Sequence, residues 1–205
     1  SFFKADVLDI ELLMDNAMLA VNYQQASKYK INFILGGTNI TSEGMAMPPN
    51  MNWFKYDKRN IYSIAKEKGN IKIRTFPSFG TLDYIRYKFL EGISMEHFLD
   101  YLPYKKEKAL EILKNKFSYK PYPYKHYESI FTRFYQGYIL PNKFKIDKRK
   151  IHLSTLIMSN QISRDECVKI LKDIPYPSQD ELDRDIEFFL KKMNWSINKL
   201  QEYIE

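Results

Sequence analysis

The sequence predicts an α/β domain followed by an all-helical region, and three observations support this prediction. Residues 31–44 read INFILGGTNITSEG, a mostly apolar strand that runs into two glycines and then a polar loop. A helical pattern precedes this strand and another follows the loop, which is the order of half a βαβ unit. From about residue 95 onward, only helical periodicity is present. We therefore expect an α/β domain at residues 1–95 and a helical domain at residues 96–205.

The elements of the first part follow from short-range patterns. The helix before the strand is predicted over residues 16–29 with Asp15 as its cap, and residues 7–12 lead into it or form a strand. Residues 31–35 are predicted to be a buried strand because they are mostly apolar. After the loop, we expect helices over residues 56–68 and 81–90, and a strand over residues 72–76 that Pro77 ends.

The second part is predicted to contain only helices. Two capping boxes, Ser163 with Glu166 and Ser178 with Glu181, each stand directly before an apolar-periodic run. The predicted helices cover residues 105–116, 125–138, 148–159, 164–171, 179–192 and 197–204.

Composition restricts the class of protein. The net charge is +7 with both signs interspersed, which does not favour a nucleic-acid partner over a small-molecule substrate. Cys167 is the only cysteine, so a reducing, cytoplasmic compartment is expected. No apolar run reaches the ~18 residues that span a membrane, so we expect no membrane insertion. The chain begins at Ser1 with a segment typical of a fold interior, and we expect an N-terminal portion outside these residues.

The loop after the predicted strand is the first candidate for a ligand site. Ligands of open α/β sheets bind just past the carboxyl ends of the strands. Glycines at that position let backbone N–H groups approach a bound anion, although similar turns also serve as plain connectors. The candidate cofactor-binding residues are Gly36, Gly37, Thr38, Asn39 and Glu43.

Two helices in the second part carry unusual polar faces. Opposite the apolar positions Tyr127, Phe131, Phe134 and Tyr138 lie short polar groups around Arg133, which suits either a phosphate-binding site or a polar interface between helices. On the next helix, Lys148, His152, Thr155 and Ser159 form a narrow polar stripe, and His152 is a candidate proton shuttle or a histidine held by a backbone group. The candidate substrate-binding residues are Lys125, Glu128, Thr132, Arg133, Gln136, Lys148, Arg149, His152 and Thr155.

Several common site motifs are absent from the sequence. His97, His126 and His152 do not have metal-ligand spacing, so no metal site is predicted. Cys167 stands beside acidic residues, which oppose thiolate formation, and a nucleophilic role is not expected. No GxSxG, Walker A or GxGxxG pattern occurs, and the catalytic residues remain unknown.

The segments ILGGTNITSEG, KYDKRNI, RTFPSFG, KHYESIFTRFYQGYILPNKF and DKRKIHLSTLIMSNQISRDE together resemble the N-acetyl sugar amidotransferase family. This family belongs to the PP-loop ATP pyrophosphatase superfamily and acts in bacterial surface-polysaccharide synthesis. The resemblance implies a Rossmann-like adenine nucleotide α-hydrolase fold, here partial. It also places the loop from Gly36 to Glu43 at the second nucleotide-side loop of the superfamily.

The resemblance implies conversion of an acetamido group on a nucleotide-linked sugar to an acetamidino group. ATP and Mg²⁺ would activate the amide oxygen as an adenylate, and ammonia from a separate glutaminase would displace AMP. The superfamily's SGGxDS motif is absent from these residues, so the chain alone is expected not to hydrolyse ATP. Two alternatives remain open, a PP-loop enzyme acting on tRNA and a non-catalytic helical module that docks through residues 119–124. A homo-oligomer is compatible with the sequence.

Overall fold

The computed structural model describes residues 1–40, 54–122 and 129–205. These residues are mostly helical and include a small parallel sheet of two strands. The chain divides into two compact units. The first comprises the described residues of Ser1–Thr38 and Met47–Tyr101, and the second those of Asn39–Ala46 and Leu102–Glu205.

The first unit contains three α-helices and two strands among its described residues. A 3₁₀ turn at Phe3–Ala5 precedes the first helix, a π-helical turn at Arg86–Leu90 continues the third helix, and a 3₁₀ turn at Phe98–Tyr101 follows the second strand. The elements are α1 (Leu12–Lys28), β1 (Phe33–Leu35), α2 (Lys58–Gly69), α3 (Thr81–Ile85) and β2 (Ser94–Glu96).

The sheet pairs β1 with β2 in parallel, with Phe33 opposite Ser94 and Leu35 opposite Glu96. Backbone bonds continue the pairing at both ends, from Ser94 N–H to the Asn32 carbonyl and from Gly36 N–H to the Glu96 carbonyl, each at 2.8 Å. Because the strands are parallel, their carboxyl ends meet at one edge of the sheet.

The core of the first unit forms where α1 packs against aromatic side chains from α3 and its surroundings. The Tyr23 ring stacks on Phe79 with centroids 4.9 Å apart, and Phe79 stacks on Tyr87 at 6.0 Å. Burial raises the pKa of the Tyr23 hydroxyl to about 12, and the neighbouring Tyr56 and Tyr84 add to the shift. Only one face of β1 meets this core, through Ile34.

Asn16 is a fully buried polar residue whose amide fixes two loops. Its Nδ2 donates to the Lys55 and Phe79 carbonyls, each at 2.7 Å, and its Oδ1 accepts from the Phe79 N–H at 2.9 Å. Lys55 in turn pairs with Asp9 at 2.5 Å and Asp15 at 2.8 Å. Because all of these polar groups are satisfied, α1 holds the segments around residues 55 and 79 in place.

All the regular secondary structure in the described residues of the second unit is helical. A π-helical turn at Tyr135–Ile139 joins two short α-helices into one continuous segment from Ile130 to Lys143. The elements are α4 (Lys106–Phe117), α5 (Ile130–Phe134), α6 (Leu140–Lys143), α7 (Arg149–Met158), α8 (Arg164–Lys172), α9 (Gln179–Met193) and α10 (Ile197–Ile204).

Aromatic packing joins the α5 segment to α9. The Phe134 and Phe189 rings lie 4.7 Å apart, and Trp195 meets Phe189 edge-on at 5.6 Å. Gly137 in the π-helical turn has no space for a side chain, because a Cβ there would lie 2.6 Å from the Pro175 carbonyl and 2.8 Å from the Tyr176 ring. The glycine therefore permits the close approach of the loop that carries Tyr176.

Most of the predicted helices agree with the structure. The helix predicted over residues 197–204 is observed as Ile197–Ile204, and the one over 164–171 as Arg164–Lys172. The Ser163–Glu166 capping box is present in full, with the Ser163 Oγ accepting from the Glu166 N–H at 3.3 Å and the Glu166 carboxylate accepting from the Ser163 N–H at 3.0 Å. Local capping chemistry therefore sets these termini.

Three predictions for the first part are wrong. The helix α1 begins at Leu12, so Asp15 lies inside its first turn and pairs with Lys55 instead of capping a helix. The strand predicted at residues 72–76 is not present, because these residues join no sheet. The strand predicted at residues 31–35 is short and not buried, since Phe33 is 66% exposed and Leu35 is 68% exposed.

The sequence also missed strand β2, which lies across the boundary expected at residue 95. Its sequence, Ser-Met-Glu, has too few apolar positions to show a strand pattern, and its pairing partner is about sixty residues away in the chain. The resemblance implies that residues 1–95 are the C-terminal part of a PP-loop nucleotide-binding domain, and this assignment stays a prediction.

Candidate functional site

A cluster of polar side chains lies at the shared carboxyl edge of β1 and β2. The loop Gly36–Thr38 follows β1, while Glu96 ends β2 and His97 follows it. Gly37, Thr38 and His97 are exposed. This edge of a parallel sheet is where α/β proteins bind ligands, so the cluster is the leading candidate site among the described residues.

A side-chain contact joins the loop after β1 to the residue after β2. The Thr38 Oγ1 and the His97 Nδ1 lie 2.5 Å apart, within hydrogen-bonding distance. The His97 ring also packs against Gly36, where a Cβ would lie 3.0 Å from Nδ1. The two strand ends are therefore joined by side chains as well as by the Gly36–Glu96 backbone bond.

Glu96 is an anionic group of this cluster, and hydroxyl donors stabilise its charge. The Ser94 Oγ donates to Oε1 at 2.5 Å, and the Tyr101 hydroxyl donates to Oε2 at 3.3 Å. The Ser94 hydrogen bond is the main cause that lowers the pKa of the Glu96 carboxyl, and the Tyr101 bond and the Lys88 charge act in the same direction. Glu96 is therefore an ionised, hydrogen-bonded carboxylate at neutral pH.

The five predicted cofactor-binding residues fall into three groups. Gly36, Gly37 and Thr38 stand at the carboxyl end of β1, as the strand-loop pattern predicts. Asn39 is 5% exposed and belongs to the second unit. Glu43 lies outside the described residues, so its role in cofactor binding stays a prediction.

His97 and Glu96 are absent from the sequence-predicted set although they stand at the same sheet edge as Thr38. Glu96 ends β2 and His97 follows it, and β2 itself has no pattern that would reveal a strand in the sequence.

Arg133, the centre of the first predicted polar face, makes a two-pronged ion pair with Asp185 on α9. Its Nε lies 2.5 Å from Asp185 Oδ2 and its Nη2 lies 2.7 Å from Oδ1. The Tyr176 hydroxyl donates to the same carboxylate at 3.0 Å. The Asp185 hydrogen bond raises the pKa of Arg133, and burial raises that of Tyr176. These contacts form a polar interface between helices, while substrate binding by Arg133 stays a prediction.

Arg149 ties the start of α7 to the end of α8. Its Nη2 lies 2.8 Å from Asp147 Oδ2, and its Nη1 donates to the Asp173 carbonyl at 3.0 Å and the Ile170 carbonyl at 3.2 Å. Carbonyls at a helix C-terminus attract cations, so Arg149 has a structural role at this position.

The remaining predicted residues of the polar stripe sit on α7 or just before it. Thr155 is 4% exposed and its hydroxyl donates to the Ile151 carbonyl at 3.1 Å. Lys148 and His152 are half-buried and take part in further interactions. On the α5 segment, Thr132 is buried and Gln136 is half-buried, whereas Lys125 and Glu128 lie outside the described residues.

Burial raises the pKa of the Cys167 thiol and the neighbouring Glu166 charge adds to the shift, so the thiol is held in its neutral form.

Within residues 1–40, 54–122 and 129–205, no group of three or more His, Cys, Asp or Glu side chains could hold a metal ion. Over the same residues, no helix is both long and apolar enough to cross a membrane.

A groove of about 600 Å³ lies along α2, lined by Arg59, Tyr62, Lys66, Lys72 and neighbouring residues. Lys66 stands in the last turn of the helix, where a cation complements the helix dipole. Among the described residues, no candidate site residue predicted from the sequence lines this groove.

A comparison with protein-family models gives a match in the C-terminal region. Residues 128–205 match the family model described as LPS biosynthesis protein WbpG-like, C-terminal domain. The match covers much of the helical unit and does not extend to the sheet or its loop. No curated protein matches the chain, and no solved structure matches it either.

Proposed function

We propose that the chain is part of an ATP-dependent amidotransferase of lipopolysaccharide O-antigen synthesis. The enzyme would convert the acetamido group of a nucleotide-linked sugar to an acetamidino group. The match of residues 128–205 to a WbpG-like LPS biosynthesis model carries this proposal. The resemblance of nearly all of the sequence to N-acetyl sugar amidotransferases implies the reaction.

The first unit is proposed to be part of a PP-loop fold. The support is the parallel pair β1–β2 and the Gly-Gly loop at its carboxyl end. In such folds the loops at this edge hold the nucleotide. The phosphate-binding SGGxDS loop of the superfamily is not in these residues, so the site proposed here supplies one side of the nucleotide pocket.

The loop after β1 is proposed to hold the phosphate groups of ATP. Gly37 is exposed, and a Cβ at this position would meet nothing within 4 Å, so there is free space beside the loop for a ligand. Beside it stand the exposed Thr38 hydroxyl and the His97 ring, which can donate hydrogen bonds to phosphate oxygens. ATP supplies the activation of the amide oxygen, and the loop residues would position its phosphates.

The described residues do not form a cage for Mg²⁺. Mg²⁺ commonly keeps several waters and bridges phosphate oxygens with one or two protein carboxylates. Glu43 remains the proposed acidic residue on the loop side. The separate glutaminase that supplies ammonia and the binding of the sugar nucleotide by the helical unit also belong to the proposal.

The test uses the polypeptide as its cell makes it, with the 205-residue chain in parallel. Each sample receives Mg²⁺, ATP, a UDP-linked acetamido sugar and ammonia, and AMP release and the sugar product are followed by chromatography and mass spectrometry. We expect AMP to appear only when both the sugar nucleotide and ammonia are present, with oxygen replaced by NH in the product. The 205-residue chain alone should release none.

Two results would contradict the proposal. AMP release that depends on added tRNA, and not on the sugar nucleotide, would indicate a PP-loop enzyme acting on RNA. An unchanged acetamido sugar despite AMP release would show that ATP cleavage serves a different acceptor. Omission of ammonia is the matched control, because it removes the nucleophile and leaves every other component in place.

A further inference from the structure

Gly36 and Gly37 have different surroundings, because the His97 ring lies against Gly36 and not against Gly37. A Cβ at Gly36 would lie 3.0 Å from the His97 Nδ1 and 3.4 Å from its Cε1, whereas one at Gly37 would have nothing within 4 Å. The imidazole ring thus fills the space on the Cβ side of Gly36, whereas Gly37 is exposed and has free space on that side. Because the Thr38 hydroxyl contacts the His97 ring, an anion that approaches the loop at Thr38 arrives beside that ring.

The contact with Thr38 determines what the other ring nitrogen can do. The Thr38 hydroxyl lies 2.5 Å from Nδ1, and a hydroxyl can either donate or accept. If Thr38 donates to Nδ1, the neutral ring carries its proton on Nε2, which then becomes a donor toward a ligand. The His97 ring is exposed, and it makes no second hydrogen bond within residues 1–40, 54–122 and 129–205.

We propose that His97 is a phosphate-binding residue of this site, with Nε2–H donating to a phosphate oxygen of the nucleotide held at Gly37 and Thr38. The Thr38 hydroxyl donates to Nδ1 and so fixes the tautomer and the orientation of the ring. This inference rests on the proposed function for the identity of the ligand, a nucleoside triphosphate.

The neighbouring carboxylate of Glu96 opposes an anion at this position, and the structure reduces this opposition. Both Glu96 oxygens accept hydrogen bonds from hydroxyl groups, of Ser94 and Tyr101. The Lys88 charge acts on the same carboxylate. Donors and a cation thus offset part of the Glu96 charge, while His97 faces the loop through Thr38.

The binding experiment compares two variants of His97 that differ in which ring nitrogen they imitate. The amide of His97→Asn replaces the group at Nδ1 and lacks a donor at Nε2, whereas His97→Gln places its amide nearer the Nε2 position. Calorimetry measures the binding of ATP, inorganic triphosphate and adenosine to the polypeptide as its cell makes it. One charge-assisted hydrogen bond contributes about 1.5–3 kcal/mol, so we expect at least a tenfold loss of affinity in His97→Asn.

The expected pattern separates a phosphate contact from a merely structural role. His97→Asn should lower the affinity for ATP and for triphosphate by the same factor and leave the affinity for adenosine unchanged. His97→Gln should recover most of the lost affinity. In Gly36→Ala the added methyl group would contact Nδ1 and displace the His97 ring, so this variant should lose less affinity for ATP than His97→Asn does. Urea unfolding of each variant checks that the fold is intact.

A second measurement does not depend on nucleotide. Nitrogen-15 NMR of histidine-labelled protein should show the Nε2–H tautomer for His97 in the wild type and in Thr38→Ser, and a changed tautomer mixture in Thr38→Val. An Nδ1–H tautomer in the wild type would overturn the inference.

The outcomes also separate this inference from the proposed function. Wild-type protein that binds ATP with the same affinity as His97→Asn would overturn the role of His97 and leave the proposed function standing. Wild-type protein that binds neither ATP nor triphosphate would overturn the nucleotide loop itself, and the role of His97 with it.

Discussion

The polar residues of the helical unit and those at the sheet edge are used in different ways. In the helical unit, the guanidinium groups of Arg133 and Arg149 are held by carboxylates and carbonyl groups of the same unit. At the sheet edge, Thr38 and His97 contact each other and remain exposed. A polar side chain that is already satisfied stabilises the fold, whereas an exposed and oriented pair can also bind a ligand.

This difference shows that a polar stripe on a helix and the carboxyl end of a strand differ in how well they predict a ligand site. A stripe on a helix indicates that something polar lies opposite, and that partner can be another helix, as Asp185 is for Arg133. The carboxyl end of a parallel strand has a geometric reason to face a ligand, because the loops of neighbouring strands meet there. The following predictions test this contrast.

The largest effect is expected for Arg133→Met in the helical unit. Asp185 has a side chain that is 4% exposed and, among the residues that the structure describes, it would keep only the Tyr176 hydroxyl as a partner. Removing one member of a buried ion pair costs about 3–5 kcal/mol, so the free energy of unfolding should fall by that amount. Urea denaturation followed by Trp195 fluorescence, in a Trp53→Phe background, measures this unit.

Arg184→Met is the matched control, because Arg184 lies on the same helix as Asp185 and is exposed. Its effect should stay within about 0.5 kcal/mol. If Arg133→Met instead leaves stability unchanged and weakens binding of the sugar nucleotide, the helical stripe is a binding site and the contrast drawn here fails.

A smaller loss is expected for Asn16→Leu in the first unit. The substitution removes three hydrogen bonds and leaves the buried polar groups of Phe79 without their partner. Each unsatisfied buried group costs about 1–3 kcal/mol, so we expect destabilisation of about 3 kcal/mol in total. Gln24→Leu, on the exposed side of the same helix, is the control. Far-UV circular dichroism in urea measures both, and equal stabilities would show that this amide is dispensable.

Ser163→Ala should cost about 1 kcal/mol, since it removes the cap of α8 and the partner of Glu166. Ser154→Ala is the comparison, because its hydroxyl bonds within the exposed part of α7 and alanine suits a helix interior. We expect the first substitution to lower the melting temperature and the second to leave it almost unchanged. A larger effect of Ser154→Ala would contradict the assignment of the cap.

The smallest effect concerns the pH dependence of the sheet edge. Because the pKa of Glu96 is lower in the folded protein than its ordinary value of 4.5, its stabilising contribution is fully present above that value. The contribution is lost as the pH falls through the lowered pKa. Carbon-13 NMR titration of the carboxyl should show the pKa rising in Ser94→Ala and rising less in Tyr101→Phe, since the Ser94 bond is the larger cause. An unchanged pKa in Ser94→Ala would assign the shift to another group.

Helix positions in this protein were predictable where local chemistry sets them. Ser163 and Ser196 each accept from a backbone N–H three residues on, and the helices they begin were placed to within one residue. Strand β2 was not predictable, because three residues of mixed character become a strand only by pairing with β1. The exposure of β1 was missed because apolar composition does not report how many faces of a sheet are covered.

The candidate site shows the same division between local and distant information. The Gly36–Thr38 loop was predictable because strand, glycines and polar residues are consecutive in the sequence. His97 was not, since its contact with Thr38 joins residues 59 positions apart. The partner of Arg133 was likewise invisible, because Asp185 follows 52 residues later and nothing in either segment marks the pair.

The parallel pairing of β1 with β2 also has a consequence for the order of folding. Register places Phe33 beside Ser94, so the chain between them must form a long loop before either strand gains a partner. Closing such a loop costs entropy that grows with its length, and non-local pairings slow the folding of small domains. We therefore expect helices α1 and α2 to form early and the sheet edge to be assembled late. Protection of the Gly36 amide from hydrogen exchange would report that last step.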